Sequence, residues 1–229
     1  MSNASQTIPK MYFVQYNNAS PWAAHVAGPT TVVDECGICG RGRRVHSDKV
    51  SITLENIRPD WPDAIGGDSS GRGHLIISER AAQAFAAIDE PKYELLEAEM
   101  PLSCPMSYFL IVAPLGIRFE PEPGFDEYRC ECGRLKKNLP QDVIEAFSRA
   151  MRSNAFTPIE GSWNGSHFVD ARVGSLFCTH DVIEQAREQG LTNFKFDCAD
   201  SSLRSRGSWD GIDYLGKLWP PEKWYPAID

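Results

Sequence analysis

The stretch His74-Leu75-Ile76-Ile77-Ser78-Glu79-Arg80-Ala81-Ala82-Gln83-Ala84-Phe85-Ala86-Ala87-Ile88 changes structural period at a single residue. His74 to Ile77 is a short apolar run that reads as a strand. Ser78 then carries a hydroxyl able to accept a bond from a first-turn amide. Ala81, Phe85 and Ile88 recur at helical spacing until Pro91 follows the helix end, and Tyr93 to Glu99 returns toward a strand. The same order recurs further along. Leu176-Phe177-Cys178 reads as a strand, Thr179 as N-cap, Val182, Ile183 and Ala186 as one helical face, Gly190 as the stop, and Leu191 to Phe196 as a strand. Two related strand-helix-strand units, at 74–99 and 174–197, are expected, through duplication or through convergent capping chemistry.

Working outward, residues 1–10 read as a loose polar N-terminus, and Met11 to Tyr16 as the first strand by its aromatic and β-branched content. Thr30 to Val33 can form a short strand, and Tyr108 to Ala113 another. The run from Pro59 to Gly73 is dense in Pro, Gly, Asp and Ser and reads as loop throughout. A third helix is expected from about Gln141 to Met151, with Val143, Ile144, Phe147, Ala150 and Met151 on one face. In the tail, Trp209, Tyr214, Trp219, Trp224 and Tyr225 are interleaved with prolines, so this segment must dock to hide its rings. The expected fold is α+β: a mixed sheet with about three packed helices, residues 1–229 forming a single domain.

Two glycine-closed cysteine pairs stand out against this frame, Cys36-Gly37-Ile38-Cys39-Gly40 and Cys130-Glu131-Cys132-Gly133. Thiolates are soft ligands, and four of them fill the tetrahedral shell of a closed structural zinc site. Glycine after each pair supplies the positive φ that a backbone turning around an ion needs. The first pair has the usual C-x2-C spacing and the second is one residue shorter. The expectation is one structural Zn²⁺ per chain on Cys36, Cys39, Cys130 and Cys132, pinning two distant loops; reduced structural thiols, a redox pair or a vestigial site remain open. His46 is the one histidine placed to substitute as a ligand. Cys104, Cys178 and Cys198 lie in apolar or strand-like contexts and read as buried hydrophobes. Arg41, Arg43 and Arg44 after the first pair read as a solvated turn, with a phosphate contact as the sharper alternative.

The 229 residues can bury a sizeable core, and their formal charge of −8 with a pI near 5.2 argues against a nucleic-acid-binding protein. Seven cysteines, no signal peptide and no apolar run approaching about 18 residues point to a reduced, cytoplasmic chain without a membrane span. The glycine stretch Gly66 to Gly73 matches no phosphate-binding motif, no G-x-S-x-G elbow surrounds Ser70, and no H-E-x-x-H occurs. The expectation is therefore not an enzyme. An acidic surface suits a basic protein partner instead, and Glu120, Glu122, Asp126, Glu127 and Glu131 are the candidate partner-binding residues.

Taken together, Cys36-Gly-Ile-Cys39-Gly40, Leu75-Ile-Ile-Ser-Glu-Arg-Ala-Ala82, the second pair running into Arg134, Leu176-Phe-Cys-Thr-His-Asp-Val-Ile183 and Gly190-Leu-Thr-Asn-Phe-Lys-Phe196 resemble the double-CXXCG motif family of bacterial, myxobacterial-type immunity proteins. Their order matches the family across most of Val32 to Phe196. The chain departs from the pattern in its C-x-C second pair and in an insertion-like stretch, Leu139 to Asn164. The resemblance implies a cytoplasmic protein that neutralises a cognate polymorphic or contact-delivered toxin by stoichiometric binding in bacterial competition, with zinc structural. The alternative is a zinc-ribbon-containing enzyme or nucleic-acid-associated protein with its site in the Gly66 to His74 loop.

Overall fold

The computed structural model describes residues 8–16, 23–54, 61–67, 74–88, 92–118, 124–153, 158–170, 176–199 and 212–214. Six strands close into a barrel. In barrel order they are β2 (Ala23–Ala27), β5 (Val50–Leu54), β8 (Glu94–Glu99), β9 (Tyr108–Val112), β7 (His74–Ser78) and β6 (Ala64–Gly67), with β6 returning to pair with β2. The β2/β6 and β5/β8 pairs are parallel and the others antiparallel. A second sheet has the order β10 (Phe168–Asp170), β11 (Leu176–Thr179), β1 (Met11–Tyr16), β12 (Phe194–Cys198), β13 (Ile212–Tyr214), all antiparallel. A separate two-stranded ribbon pairs β3 (Thr30–Val33) with β4 (Arg43–His46).

The apolar run in β7 is continuous because both its faces are buried. Ile76 points into the barrel with Ile52, Ile65, Tyr108 and Leu110, whereas Leu75 and Ile77 point outward into a second core. That second core holds the inner faces of α1 (Glu79–Ala86) and α3 (His180–Glu188), through Ala81, Ala82 and Phe85 on one and Val182, Ile183 and Ala186 on the other. Tyr12, Val14, Cys178, Phe194 and Phe196 of the second sheet close it from the far side. The two helices are thus sandwiched between the barrel wall and the five-stranded sheet, with Phe85 edge-on to Phe168 and Phe194 at 5.2 and 5.6 Å. Met11, Phe13, Val169 and Phe177 face a third cluster on the outer side of that sheet.

Both strand-helix-strand units share one topology. In the first, β9 lies between β7 and β8 and runs antiparallel to both; in the second, β1 takes that place between β11 and β12. The inserted strand follows the first unit in sequence and precedes the second.

Ser78 and Arg80 explain why the unit boundary falls where it does. The Ser78 hydroxyl accepts the Ala81 amide at 3.1 Å and donates to Asp63 Oδ1 at 2.7 Å. Asp63, only 5% exposed, also accepts from Arg80 and from the Thr192 amide at 2.8 Å. Arg80 reaches on to the carbonyls of Gln189 and Gly190, which end α3, at 3.1 and 3.2 Å. One carboxylate and one guanidinium therefore fasten the start of the first helix to the end of the second.

Two expectations need correction. The Pro59 to Gly73 run is not loop throughout: Ala64–Gly67 forms β6, with Ala64 and Ile65 fully buried. Small residues there let one short strand pair with β7 on one edge and β2 on the other. Thr179 occupies the N-cap position of α3, but its hydroxyl makes no cap bond and lies 2.7 Å from His167 Nδ1 instead. The third helix, α2 (Gln141–Ser153), follows the second cysteine pair, and its Phe147 meets Phe125 edge-on at 5.3 Å. The tail aromatics fall outside the described residues, apart from Tyr214 in β13.

Candidate metal centre

The first cysteine pair sits at the turn of the β3–β4 ribbon. Its backbone is closed by Gly40 N–H donating to Cys36 O at 2.8 Å and Cys36 N–H donating to Arg41 O at 2.9 Å. The second pair repeats this with one residue fewer: Gly133 N–H donates to Cys130 O at 2.7 Å and Cys130 N–H to Arg134 O at 2.8 Å. Gly40 and Gly133 have φ of 59° and 80°, the left-handed region that glycine enters without a Cβ clash. The shorter pair is therefore an equivalent knuckle. The missing residue is removed from between the cysteines while the closing bonds are kept.

The two knuckles face each other. Cys36 Sγ lies 3.8 Å from Cys130 Sγ, Cys39 Sγ lies 3.8 Å from Cys132 Sγ, and all four sulfurs fall within 4.8 Å of one another. Four thiolates bound tetrahedrally at about 2.3 Å have edges of about 3.8 Å, so the spacing fits a single ion enclosed by four sulfurs. This is a possible metal site with every tetrahedral position taken by protein. His46 is not among its ligands; it is buried in β4, opposite Thr30.

The electrostatics favour a cation at the centre. The amides of Cys39 and Ile38 hold the Cys36 thiol down to about 6. At Cys130 the Cys132 amide pulls in the same direction, but burial and the neighbouring thiols outweigh it and push the group up to about 11. Successive thiolates in so small a volume repel one another, and a divalent ion relieves that repulsion.

Positively charged side chains lace the knuckles together. Arg134 donates to the carbonyls of Asp34, at 2.8 Å, and Arg41, both on the first knuckle. Lys137 Nζ approaches Gly40 O at 3.5 Å, while Arg129 closes the second knuckle on itself by donating to Gly133 O at 2.6 Å. Arg43 ties the ribbon to the body of the protein. Its guanidinium donates to Ala113 O at 2.6 Å and to Asp170 Oδ2 at 3.2 Å, with Asp34 Oδ2 at 3.5 Å. Arg43 is therefore a structural anchor within the arginine cluster that reads as a solvated turn. A signal for Arg134 was present in the sequence, since Gly-Arg follows both cysteine pairs.

Of the candidate partner-binding residues, Asp126 and Glu127 are exposed on a 3-10 turn and Glu131 is exposed within the second knuckle. Glu120 and Glu122 lie outside the described residues, as do residues 68–73 of the Gly66 to His74 stretch. Cys178 is fully buried and burial pushes its thiol up, as it does that of the half-buried Cys104, opposing thiolate chemistry at either. Among the described residues, no helix is long and apolar enough to cross a membrane. No family model matches the chain, and no curated protein is significantly similar to it.

Proposed function

We propose that this chain is a cytoplasmic immunity protein that neutralises a cognate bacterial toxin by stoichiometric binding, and that Cys36, Cys39, Cys130 and Cys132 hold one structural zinc ion. The carrying observation is the closed four-sulfur cluster formed by two knuckles with matching closing bonds. Four soft donors at tetrahedral spacing suit Zn²⁺, and four protein ligands leave no open position for substrate or activated water. Such an ion stabilises and does not catalyse. The knuckle pattern, the Ser78-Glu79-Arg80-Ala81 boundary and the second strand-cap-helix unit are also the segments on which the resemblance to the double-CXXCG immunity family rests, and each occupies a defined structural position.

The exposed carboxylates Asp126, Glu127 and Glu131 beside the knuckles, continuous in sequence with Glu120 and Glu122, form the toxin-facing surface in this reading. On a chain of formal charge −8 they steer a basic partner, raising the association rate more than the affinity. Co-expression with the toxin encoded by the adjacent gene tests the class. Survival is expected with this protein and death without it, and equal killing in both cases would overturn neutralisation. Metal analysis of chelator-free protein tests zinc separately, with about one ion per chain expected.

A further inference from the structure

We infer that the four-sulfur cluster is also an oxidative modification site, at which a peroxide converts the metal-bound thiolates into two disulfides running across the knuckles, Cys36 to Cys130 and Cys39 to Cys132. The metal-release half of this inference rests on the zinc reading above; the sulfur pairing rests on the geometry alone. Both proposed pairs are already in contact across the knuckles, at 3.8 Å. Pairing within the knuckles would instead require a disulfide between Cys130 and Cys132, separated by Glu131 alone. That very short ring departs from the backbone geometry a relaxed disulfide needs. Cross-knuckle pairing avoids it and uses all four sulfurs.

Access and local charge favour the reaction. Cys36, Cys39 and Cys132 are partly exposed, and Arg134 and Lys137 bring positive charge to the first knuckle. The chemistry balances with peroxide as the oxidant. One thiolate attacks a peroxide oxygen, the O–O bond breaks and hydroxide leaves. The sulfenic acid is then attacked by the partner thiolate, with loss of a second hydroxide. Two peroxides accept four electrons from the four thiolates, giving two disulfides, four hydroxides and the free divalent ion.

The structural consequence is that oxidation removes the ion without freeing the ribbon. The β3–β4 turn stays covalently tied to the second knuckle, and thiol reductants restore the ligand set.

The test uses the full-length, zinc-loaded chain treated with hydrogen peroxide, a chromophoric zinc indicator, thiol titration and non-reducing tryptic mapping. Arg41, Arg129 and Arg134 place Cys36 with Cys39 on one peptide and Cys130 with Cys132 on another. Cross-knuckle linkage therefore joins the two peptides, whereas linkage within a knuckle leaves them separate. The expected result is release of the bound ion, loss of the four cluster thiols, joined peptides, and reversal by dithiothreitol. Cleavage at Glu131 and fragmentation should then assign Cys36 to Cys130 and Cys39 to Cys132. Separate peptides bearing a Cys36–Cys39 link or sulfinic acids would overturn the inference, as would retention of all four thiols while methionines oxidise. Metal content before peroxide separates the two readings: a metal-free chain that still yields joined peptides refutes zinc and supports the pairing.

Discussion

Replacing Asp63 by alanine should be among the most destabilising single changes outside the four-cysteine cluster. The carboxylate is 5% exposed and accepts from the Ser78 hydroxyl at 2.7 Å, the Thr192 amide at 2.8 Å, the Thr192 hydroxyl at 3.1 Å and Arg80. Removing it leaves buried donors without an acceptor, each costing about 1–3 kcal/mol. The Arg80 share is smaller, because that side chain is 55% exposed and its head group can return to water. Truncating one partner of a buried charged network costs about 3–5 kcal/mol, and the same range is expected here. For a chain of this size that corresponds to a Tm lower by roughly 6–20 °C. Arg80→Ala alone should cost about 1–2 kcal/mol, and the double mutant should cost less than the sum of the singles because the two residues share a network. Urea unfolding followed by circular dichroism reads all three. A loss below about 1 kcal/mol for Asp63→Ala would refute the view that this carboxylate fastens the two helical units together.

If the cluster holds the proposed zinc, Cys36→Ser or Cys39→Ser should abolish metal binding and lower stability, measured by elemental analysis and thermal melting, because ligand loss is coupled to folding. Ser78→Ala should cost about 1–3 kcal/mol, since it removes both a helix cap and a donor to a buried carboxylate. Thr179→Ala should cost less, about 0.5–1.5 kcal/mol, because its hydroxyl makes a contact with His167 but no helix cap. Tyr93 is pushed up to about 12 by burial, and among the described residues its buried hydroxyl has no hydrogen-bond partner, while its ring meets Phe168 edge-on at 5.1 Å. Its raised folded-state pKa means that its contribution is intact below about pH 10 and is lost as pH rises toward 12. Tyr93→Phe should be neutral or stabilising by up to about 1 kcal/mol at pH 7 and should flatten that alkaline decline; a large loss at pH 7 would point to an unseen hydroxyl partner. On the proposed immunity role, reversing Asp126, Glu127 and Glu131 together should slow toxin association and weaken protection without changing the melt, and protection that survives would reject this surface alone.

The sequence made the two strand-cap-helix units and the four cysteines legible because both depend on local chemistry. A hydroxyl between an apolar strand and a helical stripe marks a boundary, and glycine-closed cysteine pairs mark knuckles. Closure of six strands into a barrel was not legible. β6 is Ala-Ile-Gly-Gly, a composition that usually signals a loop, and it becomes a strand because β2 and β7 flank it. Asp63 was hidden for a similar reason. Its partners are Ser78, Arg80 and Thr192, spread along the chain and brought together only by tertiary structure. The Thr179 hydroxyl looked like a cap because its position is one. A nearby imidazole offers it a shorter contact, and sequence spacing does not reveal that competition.

The placement of β1 sets the order in which the chain can be completed during synthesis. The first unit closes on local partners, since β7, α1, β8 and β9 are consecutive in the chain. β1 instead waits for β11 and β12, which emerge from the ribosome only after Leu176 has been translated. Until then Met11-Tyr12-Phe13-Val14, buried on both faces in the finished protein, is an unpaired apolar strand on a nascent chain. Such strands are prone to edge pairing with neighbouring molecules. Chains stalled before residue 176 should therefore retain the barrel yet associate with one another or with holding chaperones, and adding a peptide spanning 176–198 in trans should suppress that association.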